Sequence, residues 1–440
     1  MSKVEGTDIL VIGAGIAGLS AKLKIQESSP EISCTVIEKS SGLGGHAASF
    51  EIQGEVFDEG PHLLFSDDTE MLNALGSPTP ENYKTTAKVA NYWGGMLLRH
   101  PAHLDFGTLT DTLLRAKIIE SLEGVLDSDQ GDLRNYQEWG VSNFGEYVLE
   151  QFTRTYTSKY WRVEMSTLDV DWISQRISSL NRSSVIELRN ALTNGTLGDR
   201  TQGQHYLTQY TYDTRGFFSL FPKLHGLEVS HNEEVLEIDM SNKLVRTSRR
   251  EIRYSKLIST MPLTRLLDVT GVSMPRENLR CTSLSLLSLV LQGNTFENQP
   301  HWLYNYDASS EAARISFPQL FSPTLGEVSK VQLEFYFEGR QESSPIINPW
   351  AELEFLKSAN LVSPSASLKA HDIREIRYAN IMPCVGRAES VKDISSYLSD
   401  RDVELAGRYG AWEYLWSVEA ARSGFDAASR ILESQRVSLR

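Results

Sequence analysis

The stretch Ile9-Leu-Val-Ile-Gly13-Ala-Gly15-Ile-Ala17-Gly18, followed by Thr35-Val-Ile-Glu38, decides the fold. It reads as a strand, a glycine-rich turn, a helix, a second strand and an acid. That is the order of a dinucleotide-binding βαβ unit. Gly13 permits the tight turn, Gly15 lets backbone amides approach a diphosphate, and Gly18 lets the helix pack close to the strand. Ala17 lies in the first turn of that helix, whose free N–H groups and dipole favour an anion. Glu38 ends the second strand and can accept hydrogen bonds from ribose hydroxyls; Lys39 follows it. Three glycines alone would be weak evidence. Here the flanking strand, helix and acid all fall in place.

Ser41-Gly-Leu-Gly44-Gly45-His46 comes almost at once after Glu38. A second glycine pair there gives the backbone another close approach to the dinucleotide. In this the chain resembles the FAD enzymes that include amine oxidases, protoporphyrinogen oxidase and UDP-galactopyranose mutase. The resemblance implies non-covalently bound FAD. It places Gly13, Gly15, Ala17, Gly18, Glu38, Lys39, Gly44, Gly45, His46, Val235, Arg408 and Ser423 at the cofactor.

With 440 residues the chain is long enough for two or three structural units. A formal net charge of −14 argues against non-specific binding to nucleic acid or an anionic membrane. Cys34, Cys281 and Cys384 are far apart and imply neither a metal site nor a disulfide framework. The apolar run at residues 9–19 is broken by glycines and lacks a strongly basic leader, so it does not read as a signal peptide. No apolar stretch reaches the ~18 residues of a membrane span. A reducing, cytoplasmic setting is the expectation.

The expected fold class is α/β: a Rossmann-like FAD-binding domain, a helical insertion and a mixed β-sheet substrate domain. Residues 105–207 carry helical spacing, notably at 110–126 and 144–152. Strands are expected at 227–240, 244–260, 283–292 and 330–337. The segment Lys256-Leu-Ile-Ser-Thr-Met-Pro262 resembles the strand-to-loop return to the FAD domain in amine-oxidase-like proteins. The FAD domain is then discontinuous, from 1–65, 208–265 and 385–440, with residues 66–104 and 266–384 forming the sheet domain.

Four segments resemble the mutases more narrowly. In Gly60-Pro61-His62, His62 matches a histidine beside the flavin, while Phe65 stands where the family usually has a second histidine. Tyr156-Thr-Ser-Lys159-Tyr-Trp161 resembles a Tyr-Thr-x-Lys-x-Trp run at the nucleotide-sugar site, and Arg162, Arg176, Arg182 and Arg189 follow it. An aromatic face can stack on a base, and a nearby cation can meet a diphosphate. Arg314, in Ala-Arg-Ile-Ser-Phe, corresponds to an arginine that contacts the sugar diphosphate. Gly407-Arg408-Tyr-Gly-Ala-Trp412-Glu-Tyr414-Leu-Trp416 resembles the closing run of the superfamily, with Arg408 near the FAD diphosphate and Tyr414 near substrate. Trp416 replaces a common aspartate. Ser423-Gly424 is expected to begin a helix facing the flavin N1–O2 edge.

Three functions remain open on this reading. The first is a mutase-like enzyme on a nucleotide-linked sugar, in which reduced flavin attacks the anomeric carbon through N5 and a nicotinamide is the candidate reductant. His62, Arg314 and Tyr414 would be its catalytic residues, and Tyr156, Lys159, Trp161, Arg314, Trp412 and Tyr414 would line the substrate. The second is an oxidoreductase of the amine oxidase/protoporphyrinogen oxidase type, with Trp412, Tyr414 and Trp416 as aromatic walls. The third is a protein that binds FAD only for structure or regulation.

Overall fold

The structure, a computed structural model, describes residues 4–127, 133–173, 182–196, 208–293, 299–322, 328–339 and 343–438. The strand Val4–Ile12 lies between Cys34–Ile37 and Glu251–Ser259, parallel to both. Its unbroken run Ile9 to Ile12 is buried, as a strand covered on both faces requires. Leu244–Thr247 and Val235–Asp239 extend the sheet antiparallel, and Val403–Leu405 pairs parallel with Glu251–Ser259. One six-stranded sheet therefore draws on the start, middle and end of the chain. The expected strand at 227–240 is shorter. Its first part runs beside Glu38 instead: Glu38 N–H donates to the Ser230 carbonyl and Glu233 N–H to the Glu38 carbonyl. The expected strand at 244–260 is a hairpin, closed where Thr247 N–H donates to the Arg250 carbonyl.

The helices Ile16–Ser28 and Ser417–Ser438 pack together on this sheet. Small residues set their distance. A Cβ on Gly424 would lie 2.0 Å from the Ala17 carbonyl oxygen, and one on Gly407 2.8 Å from Ala17 Cβ. The last helix starts at Ser417, so Ser423-Gly424 does not begin it. Ser423 Oγ instead accepts a hydrogen bond from Gly407 N–H, 2.9 Å away, and fixes the loop that carries Arg408.

The second sheet has seven strands in the order Ser367–Ile381, Cys281–Gln292, Ser329–Phe337, Arg314–Ser316, Trp302–Asn305, Val89–Trp93 and Met96–Arg99. Its back face is apolar. Leu287, Leu303, Ile315 and Leu333 pack with Leu353 and Leu356 of the helix Pro349–Ser358. Its front face is polar, because the register sets Asn91, Tyr304, Arg314 and Glu334 directly opposite one another in a row. Residues paired this way share a face. One rung on, Gln332 Nε2 donates to the Asp58 carbonyl (2.9 Å) and ties the sheet to the hairpin Ser49–Ile52/Glu55–Asp58.

The helices Thr112–Asp127, Tyr136–Val148, Arg154–Trp161 and Arg182–Asn194 surround a separate core with Phe106, Leu122, Trp139 and Phe144 at its centre. The expected helical run at 144–152 is broken at its start: Gly145 has φ +77°, and a Cβ there would lie 2.3 Å from the Ser121 carbonyl oxygen. No described helix is long and apolar enough to cross a membrane.

Candidate active site

The turn after the first strand is built from backbone. Gly13 has φ +100°, and a Cβ on Gly18 would lie 2.0 Å from the Gly13 carbonyl oxygen, so the turn and the helix tolerate only glycine there. Gly15 differs. A Cβ at Gly15 would meet only the Gly44 carbonyl oxygen and Gly45 Cα, at 3.8 and 3.9 Å. The protein's own packing therefore does not require glycine at 15; what a side chain there would fill is the space beside the turn. Gly44 (φ +97°) and Gly45 (φ +56°) form its other wall, with Gly44 N–H donating to the Ala14 carbonyl. The helix Ile16–Ser28 begins without a side-chain cap and without an acid in its first turn. Its leading amides are available to an anion. Glu38 accepts from Ala14 N–H and Ser40 N–H, both at 2.8 Å, and closes the second strand onto the turn. Val235 is buried in the same sheet and Lys39 is exposed beside it. These features fit a dinucleotide.

The loop Gly60-Pro61-His62 is carried by the hairpin. Asp58, buried, accepts from Ser49 Oγ (2.5 Å), Tyr212 hydroxyl (2.8 Å) and Phe217 N–H (3.0 Å). Phe217 in turn packs on the His62 ring, 5.3 Å between centroids. His46 packs on Tyr409 at 4.7 Å. Burial first, then the charge of Arg408, lower both imidazoles, His62 to about 3 and His46 to about 4. Both rings are neutral at pH 7. His62 Nδ1 is buried with no hydrogen-bond partner in the protein.

Arg408 sits with its guanidinium 4.7 Å from the centre of the Tyr414 ring, while its Nε donates to the Leu415 carbonyl at 2.8 Å. Among the described residues no carboxylate forms an ion pair with it. A buried cation without a counter-charge is costly, and an anionic group in the adjoining space offsets that cost.

Arg314 is different. Its Nε and Nη2 donate to the two carboxylate oxygens of Glu334, at 2.9 and 2.7 Å, and Tyr336 hydroxyl donates to the same carboxylate at 2.6 Å. Glu334 is 1% exposed. Gly60 faces this pair: a Cβ on it would lie 3.2 Å from Glu334 Oε1. Around the pair stand Tyr156, Tyr160 and Tyr336, with Tyr160 and Tyr336 ring centroids 4.7 Å apart and Tyr160 hydroxyl 3.3 Å from that of Tyr414. Burial raises the pKa of Tyr156, Tyr160 and Tyr336 well above the ordinary phenol value, so they remain hydrogen-bond donors. His62 feels the charges of both Arg408 and Arg314, which brings loop, sheet and closing segment to one place.

Not every expected residue reaches that place. Lys159 Nζ donates to the carbonyls of Asn305 (3.3 Å), Ser310 (2.7 Å) and Asp307, and so pins the loop after Trp302–Asn305. Trp161, 4% exposed, packs against Tyr160 and Trp172 in the helical core. Trp412 is fully buried with Leu263 and Leu405 beneath the first sheet. In this structure Lys159 is held by backbone carbonyls, and Trp161 and Trp412 pack in apolar clusters. Trp416 packs edge-on to Phe65 at 6.2 Å, and Phe65 fills its position against Tyr210 and Trp302. Arg162 lies 3.8 Å from Glu311, Arg182 is exposed, Arg189 reaches Asn190, and Arg176 falls outside the described residues. Glu334 was not singled out in the sequence. Its only signal there is an acid inside the apolar run 331–337.

Residues 11–75 match the model of the NAD(P)-binding Rossmann-like domain family. A carotenoid 3,4-desaturase of Haloarcula japonica is 37% identical over 84 residues, which span 19% of this chain and 17% of that protein's length. The structure of a reduced UDP-galactopyranose mutase superposes with a TM-score of 0.84 at 19% identity, covering 97% of this chain and 96% of that one. A protein of Exiguobacterium sp. 255-15, provisionally assigned as a protoporphyrinogen oxidase, gives 0.73 at 16% identity over 98% and 100% of the two chains. A putrescine oxidase gives 0.62 at 13% identity over the same shares. The fold is thus that of the mutase and of the two oxidase structures, with a Rossmann-like dinucleotide-binding region at residues 11–75.

Proposed function

We propose that this chain, an amine-oxidase-like flavoprotein by fold, acts on a nucleotide-linked sugar in the manner of the UDP-galactopyranose mutases. One observation carries the reading. Arg314 and Arg408 converge on a wall of protonated tyrosines next to the Gly60-Pro61-His62 loop. A sugar diphosphate needs cationic forks and hydroxyl donors, held in a place that excludes water.

On this reading Gly15, Gly44 and Gly45 cradle the FAD diphosphate and Glu38 meets the ribose. Bound and reduced, the flavin would supply the nucleophilic nitrogen and take the role of a covalent catalyst. Arg408 offsets negative charge at that ring. His62, held neutral, orients beside it without bringing a second charge. Glu334, held by Tyr336, takes the Nε and Nη2 edge of Arg314, so that the remaining Nη1 edge meets the substrate diphosphate in one orientation. Tyr156, Tyr160 and Tyr414 supply donors and keep water out. Interconversion of sugar ring forms has no net change of oxidation state, so on this reading no oxygen is consumed.

The test is a pair of assays on the purified yellow protein. Anaerobically reduced enzyme is expected to interconvert the ring forms of a UDP-hexose, followed by chromatography, without stoichiometric oxygen use. Steady peroxide production from an amine, with no sugar product from reduced enzyme, would replace this reading by the oxidoreductase one. Fluorescence titration with UDP gives a second readout. Arg314→Ala alone is a poor probe, because it strands the Glu334 carboxylate. The paired variant Arg314→Met/Glu334→Gln keeps the charge balance and is expected to weaken UDP binding by roughly 2–5 kcal/mol.

A further inference from the structure

The seven-stranded sheet ends on Ser367–Ile381, and among the described residues no strand pairs with its outer edge. The far end of that edge is covered, for Tyr409 hydroxyl donates to the Ala379 carbonyl at 2.8 Å. Among the described residues nothing pairs with the part from 367 to 377. An open edge of this length is a template for another strand. On the back face Ile373 is 43% exposed and Trp350 60% exposed, with Trp350 edge-on to the His371 ring at 5.3 Å. On the front face Asp372 and Arg374 alternate, 2.8 Å apart, and the Arg374 guanidinium rests on Phe50 at 3.6 Å.

We propose that this edge is a homodimer interface, in which two copies pair antiparallel about Ile373 and their sheets become one. A two-fold axis through Ile373, perpendicular to the sheet, sets residues equidistant from it opposite one another. Asp372 then faces the partner's Arg374 and Arg374 faces the partner's Asp372, a square of alternating charge on the front. His371 faces the partner's Glu375 on the back, and Ile373 meets its own copy beside Trp350. The charges also select the register. Moving the axis to residue 372 sets aspartate against aspartate, and moving it to 374 sets arginine against arginine; a one-residue slip of pairing would turn the faces over. Lys369 faces the partner's Arg377 only at the exposed ends, where solvent screens them and the partner's Glu375 lies diagonal. The closed two-fold consumes the open edge in both copies, so the pairing does not run on into a fibre.

Light scattering after size exclusion of the full-length protein is expected to give twice the chain mass of 49.4 kDa. Ile373→Lys sets two ammonium groups on the axis and is expected to halve that mass, with far-ultraviolet circular dichroism and flavin absorbance unchanged. Asp372→Arg is expected to do the same, and Asp372→Arg/Arg374→Asp to restore the dimer by exchanging the charges in place. A monomeric wild type, or a dimer indifferent to both single changes, overturns the proposal. Failure of the exchange to rescue overturns the register, and with it the assignment of this edge. If Arg374→Asp disturbs the contact with Phe50 and the double variant loses its native dichroism, Lys369→Glu supplies the second reading: it turns the repelling pair with the partner's Arg377 into an attracting one and is expected to tighten the dimer on dilution, while a weaker dimer would count against the alignment.

Discussion

The glycine cradle and the tyrosine–arginine wall are built by opposite means. The cradle works by what is missing: Gly15 has room for a Cβ yet carries none, and the helix behind it has no capping side chain. The wall works by crowding: Arg314, Glu334 and Tyr336 hold one another in place, and Tyr160 bridges them to Tyr414. An empty backbone surface accepts any dinucleotide of the right length. An interlocked side-chain network holds one arrangement, so on the proposed reading specificity belongs to the wall and affinity for the cofactor to the cradle.

The largest effect expected from this contrast is at Gly15. Gly15→Val should abolish flavin binding, read as loss of absorbance in the purified protein, while the melting temperature of the flavin-free protein stays within a few degrees. Stoichiometric FAD in that variant would break the comparison at its root. Glu334→Ala comes next. It leaves the Arg314 cation buried without its partner, which should cost about 3–5 kcal/mol of stability in denaturant unfolding. A neutral result would mean that solvent reaches the pair.

Arg408→Met tests the seam between the two regions. The variant should keep its flavin but lower the flavin's midpoint potential, by about 30 mV for each 1.4 kcal/mol of lost charge stabilisation in the two-electron couple. An unchanged potential would place the guanidinium away from the ring. The smallest effect is in pH. The His62 and His46 imidazoles, lowered to about 3 and about 4, stay neutral at and above neutrality, so turnover should show no histidine inflection between pH 6 and 8. The unfolded chain protonates these rings near pH 6.5, so they oppose folding progressively as pH falls from there toward 4. Removing the Arg408 charge should move both values upward, bringing an inflection nearer neutrality in Arg408→Met.

The same contrast explains what could be read in advance. The cradle was legible because its requirements are local: a positive φ at Gly13 and close approach at Gly18 each leave a glycine at a fixed spacing. The sheet strands at 283–292 and 330–337 were legible from their apolar runs. The Arg314–Glu334 pair was not, because the nineteen residues between them say nothing of register, and only the antiparallel alignment sets one opposite the other. The surroundings of Lys159, Trp161 and Trp412 were hidden for the same reason. A lysine followed by tyrosine and tryptophan has the same sequence whether it faces a ligand or, as here, three carbonyls of a neighbouring loop. The helix start at Ser417 was missed because Ser423-Gly424 carries the residue types of a cap, whereas Gly424 is there to let Ala17 approach.

That contact between Gly424 and Ala17 has a consequence for the order of biosynthesis. The fingerprint helix Ile16–Ser28 is synthesised well before Ser417–Ser438, the helix that braces it. Until Gly407 and Gly424 have emerged, the turn at Gly13 to Gly18 lacks the support that sets its geometry. On the proposed reading, flavin loading is therefore expected to wait for the helix Ser417–Ser438. Nascent chains arrested before residue 400 should copurify with ribosomes colourless, even though every glycine of the cradle has already been made.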